Sequence, residues 1–334
     1  MTARRSILCL LVASTLPSWS ANTLESAYRT AGPAVHAAFD EVRGALQTSS
    51  AVFQRGRKEI IFGTVVSPDG FILTKASELG ELSDVTVTVD RDRYEDPVLI
   101  AEDPAWDVAL VKIDAEGLVP VDLSRVDNPS HGTWLVANGA TTRSKRRVQI
   151  GVVAANTREV FSKGGTVLGV ALKAGDEELV VESVEAGTGA ERAGLKAGDR
   201  IVSFEGEPVG DREALLEELK ERRVGEEVVI GLERDGEPLE LKVELAGRAD
   251  VFGEEVTRND AMSGEYSERR TGFPRVLQHD IMGNRHFMGG PVFDLDGHCV
   301  GMNIARFSRC ETYAIPAAEL RTLIEQLMGD ANKG

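Results

Sequence analysis

The sequence predicts a mainly β fold, a barrel or sandwich of short strands interrupted by a compact module of strands around one helix, and three observations carry that prediction. Short apolar or alternating runs follow one another from residue 59 to 154 and return between 291 and 315, with turn residues between several of them. Residues 161–245 change character, setting four alternating runs around one clear helix. Hydrophobic content of 42%, 34 glycines and 5% aromatics describe a packed globular chain rather than a collagen, a coiled coil or a disordered tail. At 334 residues such a chain divides into two or three modules.

The first 21 residues have the three-part build of a secretory leader: Arg4 and Arg5, an apolar run Ile7–Leu16, then Pro17 to Ala21. A lipid-anchored form needs a cysteine just after the apolar run, whereas Cys9 lies inside it, so cleavage near Ala21 to a soluble, periplasmic or extracellular protein is expected. No later run reaches the apolar length of a membrane helix. From Asn22 a short helix is expected, separated by Pro33 from a strand at Ala34–Phe39. Strands follow at Glu59–Ser67, Phe71–Thr74, Val85–Val89, Val98–Glu102, Ala109–Ile113, Thr133–Ala137 and Val148–Ala154.

The module after them has runs at Leu179–Val184, Arg200–Phe204, Glu227–Glu233 and Leu239–Leu245 and a helix at Asp211–Arg222. In that helix Leu215, Leu216 and Leu219 form a stripe that must cover a small sheet. Residues 248–272 carry charge and glycine without an apolar period and read as a linker or long loop. Strand character returns at Pro291–Leu295, Cys299–Ala305 and Thr312–Ile315, and Ala317–Met328 closes the chain as an amphipathic helix.

The formal net charge is −16 and becomes more negative when Arg4 and Arg5 leave with the leader, which argues against nucleic acid as a partner. The basic run Arg143, Lys145, Arg146 and Arg147 reads as a solvated loop. Acid concentrates in the module, with 21 acidic against 11 basic residues over 161–245. Export would allow a Cys299–Cys310 disulfide, but a hairpin turning near Phe307–Ser308 puts the two out of register.

Four segments in order resemble the HtrA/Deg family of trypsin-like serine proteases: Phe62 through Thr74, Asp107 through Ile113, Gly132–Gly139 with Gln149–Ala154, and Asp280 through Gly297. The resemblance implies a chymotrypsin-like double β-barrel. Where the family has its general-base histidine after Ile-Leu-Thr, this chain reads Ile72-Leu73-Thr74-Lys75-Ala76-Ser77-Glu78, so Ser77 holds that position. A hydroxyl cannot take a proton near neutral pH as an imidazole does. The family's Asn-Pro-Gly-Asn-Ser-Gly-Gly-Pro becomes Asn284-Arg285-His286-Phe287-Met288-Gly289-Gly290-Pro291, which puts Met288 at the nucleophile and His286 at an oxyanion-hole glycine. A thioether cannot form an acyl-enzyme. Of the three catalytic positions only Asp107 keeps its residue, and it is expected to accept hydrogen bonds from local backbone or from Ser77.

Val167-Leu168-Gly169-Val170, Ala193 through Asp199 and Arg200 through Pro208 resemble a bacterial-type PDZ domain. The resemblance implies that Val167, Leu168, Gly169 and Val170 hold a peptide carboxylate, with Leu215, Leu216 and Leu219 as candidates for the side-chain pocket, one or two of them buried instead as core. The PDZ would be inserted in the second barrel, a departure from the family's usual order.

The expected organisation is a signal peptide over 1–21, the first barrel and the start of the second over 22–157, the PDZ domain over 158–247, a linker over 248–272, and the rest of the second barrel with the last helix over 273–330. The function expected is an exported pseudoprotease, a scaffold or regulator that binds protein C-termini or extended hydrophobic peptides. Alternatives are an active serine endopeptidase of periplasmic quality control and a chaperone-like assembly protein. No cofactor and no metal are expected; Asp294, Asp296, His298 and Cys299 are explained as a hairpin turn. His36, His131, His279 and His298 have no serine or cysteine at motif spacing. Residues 22–32 could support a homo-oligomer, as N-terminal segments often do in the resembled family.

Overall fold

The computed structural model describes residues 25–28, 32–124, 128–141, 146–173, 178–253, 258, 262 and 264–331. The expected leader, most of the 22–32 segment, Arg143, Lys145 and the side chains of His36, Arg146 and Arg147 lie outside the described residues. Residues up to Ala38 form a unit of their own, with a 3₁₀ turn at Ser26–Tyr28 and helix α1 at Pro33–Ala38. The expected strand at Ala34–Phe39 is therefore a helix. Proline is suited to a first helical position and Ala34, Ala37 and Ala38 are the best helix formers, so local propensity outweighs the apolar run.

The second unit begins at Phe39 with α2, Asp40–Thr48, whose first-turn Asp40 and Glu41 complement the helix dipole. Seven antiparallel strands follow: β1 Ser50–Arg55, β2 Lys58–Val65, β3 Phe71–Lys75, β4 Val85–Val89, β5 Asp92–Tyr94, β6 Val98–Asp103 and β7 Val108–Lys112, with a one-turn helix α3, Ala76–Leu79, after β3. They form one sheet in the order β5-β4-β1-β2-β3-β7-β6. Among the described residues its edges do not pair, so the expected first barrel is an open sheet. The three-residue β5 pairs with β4 at one end of the order and β6 ends the other. The β3–β7 register runs from Phe71 opposite Lys112 to Lys75 opposite Val108, which sets Asp107 beside the end of β3.

Two long strands come next, β8 Trp134–Thr141 and β9 Arg146–Val160. The module after them contains β10 Thr166–Val167, β11 Val170–Leu172, β12 Leu179–Val184, α4 Gly189–Ala193, β13 Arg200–Phe204, β14 Glu207–Pro208, α5 Arg212–Lys220, β15 Glu227–Arg234, β16 Glu237–Glu244, β17 Ala246–Gly247 and α6 Arg248–Phe252. Its sheet runs β11-β12-β13-β15-β16, with β14 beside β13, and β10 pairs separately with β17. Asp211 caps α5 by accepting from the Ala214 amide at 2.8 Å, and the helix lays Leu215 and Leu219 into the module's own core.

The chain ends with β18 Phe273–His279, β19 Pro291–Phe293, β20 Cys299–Arg306, β21 Thr312–Pro316 and α7 Ala317–Ala331. These strands close a barrel with the two that precede the module, β18-β21-β20-β19-β8-β9. A shared core joins the open sheet to the closed barrel, with Leu73, Val108 and Leu110 packing among Phe273, Val276, Ile304 and the α7 residues Leu320, Leu323 and Leu327. Lys75 and Asp107 stand at this seam. No described helix is long and apolar enough to cross a membrane. Cys299 and Cys310 are both free, the first buried with its thiol pushed up to about 12 by that burial, the second exposed near the β20–β21 turn.

Candidate functional site

Asp107 is the one buried member of the six non-glycine residues with positive φ among the described residues, and its φ of 58° belongs to the left-handed region that aspartate tolerates better than most side chains. That conformation turns its main chain and its side chain toward α3. Its carbonyl accepts from the Ala76 amide at 2.9 Å, and its carboxylate accepts from the Ser77 amide at 2.8 Å and the Ser77 hydroxyl at 2.9 Å. Lys75 completes the set with a buried ion pair to the same carboxylate. The expected contact with Ser77 is present, while Lys75 was not singled out from the sequence. The lysine also donates to the Arg269 carbonyl at 3.0 Å and lies 5.6 Å from the centre of the Phe273 ring.

The carboxylate thus accepts three hydrogen bonds, and among the described residues its side-chain partners are Lys75 and Ser77 rather than an imidazole. Next to it, burial holds the Glu78 carboxyl above the usual carboxylate range, a shift that Lys75, Ser267, the Glu268 amide and Arg285 oppose.

The segment before β19 forms a 3₁₀ turn, Arg285–Phe287, that ends at Met288. Met288 is buried beside Phe62, Phe287 and Ala76 in the first sheet's core, and the Phe62 and Phe287 rings meet edge to face at 5.6 Å. The Phe62 amide donates to the Met288 carbonyl at 3.1 Å. Gly289 has φ 77°, and a Cβ there would run into the Phe62 carbonyl, so the close approach of the two backbones needs glycine.

An oxyanion hole requires amides aimed at open space. Here the His286 amide donates to the Asn284 side chain at 3.0 Å, the Met288 amide to the Arg285 carbonyl at 3.2 Å, and the Gly289 amide to the Asn303 carbonyl at 2.7 Å. The turn is wound on itself. The His286 ring is likewise engaged, with Nδ1 at 2.7 Å from the Ile60 carbonyl.

His279, His131 and His298 make contacts of their own. His279 is fully buried, with Nε2 at 2.8 Å from Asn303 Oδ1 and Nδ1 accepting from the Ile281 amide at 3.2 Å. Burial lowers its pKa to about 4, so it is a neutral structural group. His131 binds the Ala154 carbonyl at 3.0 Å. Asp294, Asp296 and His298 come within reach of one another, but Asp294 Oδ1 already accepts from the Asp296 amide at 3.0 Å and the His298 amide at 2.9 Å, which is the hairpin turn expected between β19 and β20.

In the module, β11 is the edge strand. Gly169 precedes it with φ 85°, and a Cβ there would meet Thr188. The Glu185 amide donates to the Gly169 carbonyl at 2.9 Å, so alternation along the strand points the Val170 N–H and C=O to the unpaired side. Arg212, at the start of α5, donates to the Leu172 carbonyl at 2.9 Å and ends that open edge. One turn along the same helix face, Leu216 remains 42% exposed, while Leu168, Leu215 and Leu219 are packed in the core and Val167 pairs with Ala246. Of the three candidate pocket leucines, Leu216 alone keeps its side chain exposed.

Fold and site together define a mainly β protein with trypsin-like peptidase sheets and a PDZ domain. Residues 62–190 match the trypsin-like peptidase domain and residues 166–245 match the PDZ domain, two spans that overlap over 166–190. The chain is similar to DegP-like proteins: it is 25% identical over 303 residues to a probable periplasmic serine endoprotease DegP-like of Pseudomonas fulva, covering 66% of this chain and 62% of that one. It is 23% identical over 300 residues to the protein of the same description from Ectopseudomonas mendocina, covering 66% and 63%. The chain thus spans less than two thirds of the length of these curated relatives. Among solved structures it is similar to an inactive serine-to-alanine form of Rv3671c from M. tuberculosis H37Rv, at 14% identity and a TM-score of 0.44 over 86% of this chain and 90% of that one. The HtrA-type protease AlgW with a decapeptide gives 16% identity and a TM-score of 0.31 over 63% and 97%.

Proposed function

We propose that the chain is an exported, catalytically silent HtrA-like protein that binds extended peptides or C-termini through its PDZ domain, as a scaffold or regulator. In this reading Ser77, Asp107 and Met288 stand at the three catalytic positions, His286 stands at the oxyanion position, and the PDZ domain is inserted between β9 and β18. The observation that carries it is the Asp107 carboxylate, held by Lys75 and Ser77 where a protease needs an imidazole. Met288 supports it, since a buried thioether offers neither a proton nor an oxygen.

The PDZ match gives the peptide-binding half of the proposal, and the open edge at Val170 with Leu216 beside it supplies the means. A peptide adding as a strand gains main-chain hydrogen bonds from that edge and apolar contact from the leucine. The test of silence is labelling of the intact chain with a fluorophosphonate alongside a casein-degradation assay. The expected result is no labelling and no cleavage; one serine labelled stoichiometrically would overturn the proposal.

A further inference from the structure

Residues 264–272 connect the end of the PDZ region to β18 with neither strand nor helix, yet Ser267, Arg269, Arg270 and Thr271 are all at most 8% exposed. Connecting segments normally run over the surface, where water satisfies their backbone. This one is seated, and its contacts show on what. The Ser267 amide donates to the Arg306 carbonyl at 3.1 Å, the Arg306 amide to the Ser267 hydroxyl at 3.0 Å, and the Arg306 guanidinium to the Glu265 carbonyl at 2.8 Å, a rung of strand-like pairing at the end of β20.

On the opposite side the Glu268 amide donates to the Glu78 carboxylate at 3.2 Å and the Arg269 carbonyl accepts from Lys75. The Arg269 guanidinium donates to the carbonyls of Pro104 and Ala105, fixing the segment to the turn that carries Asp107. Two acidic side chains reach the turn before Met288, with Glu268 at 3.2 Å from Arg285 and Glu265 at 3.5 Å from His286. Within five residues the segment touches every element that frames the candidate site.

We propose that residues 264–272 are a built-in extended ligand, a strap that fills the cleft between α3 and the end of β20, and that the Glu265–Glu268 half lifts while Arg269 holds the rest. The two halves differ in what retains them. Arg269 is buried among carbonyls, whereas Glu265 and Glu268 are about two thirds exposed, Glu268 in a surface ion pair with Arg285 of the kind that contributes little in water and Glu265 beside the His286 ring. The tether supplies the missing affinity, because a segment joined to its site has an effective concentration on the order of millimolar. The vacated cleft would take a peptide of the chemistry of the half that lifts, an acidic residue, an aromatic, a serine and a second acidic residue in that order. This proposal does not depend on the PDZ domain or on the absence of catalysis.

The test pairs hydrogen exchange with binding of a fluorescein-labelled peptide of the sequence of residues 262–268 to the intact chain. In the wild type the amides of Glu265 to Glu268 exchange slowly and the peptide at micromolar concentration gives no rise in polarisation. In Ser267→Pro, which removes the amide and hydroxyl that hold Arg306, the amides of Glu265, Tyr266 and Glu268 exchange at least ~10-fold faster, those of β18–β21 are unchanged, and the labelled peptide binds and is displaced by unlabelled peptide. Fast exchange over 265–268 in the wild type, or a released strap with no peptide binding, overturns the proposal. If Ser267→Pro loosens the barrel strands as well, Glu268→Lys, which reverses one exposed ion pair only, decides by the same two readouts.

Discussion

The ammonium of Lys75 lies against the carboxylate of Asp107, and neither side chain reaches solvent, at 0% and 5% exposure. The pair stands where the first sheet meets β18, and each member has further partners: Ser77 for the carboxylate, the Arg269 carbonyl for the ammonium. A buried pair of this kind adds little over an apolar pair of the same volume, but removing one member strands the other. Lys75→Met is therefore expected to cost about 3–5 kcal/mol in urea unfolding. Lys75→Met with Asp107→Asn, which keeps an acceptor for Ser77 and leaves no charge, should recover most of that loss. A single variant as stable as wild type would show that the pair is not the constraint described.

The same pair bears on the catalytic proposal. Replacing Ser77 by histidine and Met288 by serine restores the residue types of a triad, but Lys75 still engages Asp107, and the amides of His286 and Met288 still point into their own turn. The double variant Ser77→His, Met288→Ser is expected to show no casein cleavage above background. Adding Lys75→Asn and His286→Gly removes both obstacles and is the combination in which activity should first emerge. Full activity in the double variant would mean that the carboxylate and the hole are not blocked.

The sequence made parts of this legible and hid others for physical reasons. Most of the longer strands from β2 onward were readable because alternation and turn residues are local signals, and α5 was readable from its cap and stripe, whereas the short strands β5, β10, β14 and β17 and the barrel strand β18 were not expected. Ser77 beside Asp107 followed from a resemblance in chain order. Lys75 was not readable, because a lysine reads as a surface charge unless its partner is known, and that partner is set by the β3–β7 register. Residues 264–272 gave no period, and their burial comes entirely from contacts with α3, β20 and the 104–105 turn. Leu215, Leu216 and Leu219 looked alike in the stripe, and only the packed helix distinguishes core from surface.

That distinction makes a paired prediction in the PDZ domain. Leu215 is packed among Leu168, Ile201 and Ile230, so Leu215→Ala should lower stability by about 2–5 kcal/mol. Leu216 is exposed on the face that Arg212 turns toward β11, so Leu216→Ala should change stability by no more than about 0.5 kcal/mol. Its effect belongs to binding instead, with a several-fold loss of affinity for hydrophobic C-terminal peptides measured by isothermal titration. Equal loss of stability in both variants would refute the assignment of Leu216 to the groove.

His279 gives the chain an acid-sensitive element. Its pKa falls from an ordinary 6.5 to about 4 because the buried ring is held neutral, so the unfolded chain binds a proton in that interval that the folded chain refuses. Stability from this group is complete above pH 6.5 and is lost as the pH falls toward 4, by about 3 kcal/mol across the interval if the full difference in pKa is realised. Glu78 opposes this trend, since a carboxyl held above its ordinary range by burial favours the folded state at lower pH. The two are separable by substitution. In His279→Gln, which keeps a donor for Asn303, the pH dependence of the urea midpoint between pH 4 and 6.5 should flatten, while Glu78→Gln should steepen it. An unchanged slope in His279→Gln would mean that the imidazole is protonated, or exposed, in the folded chain.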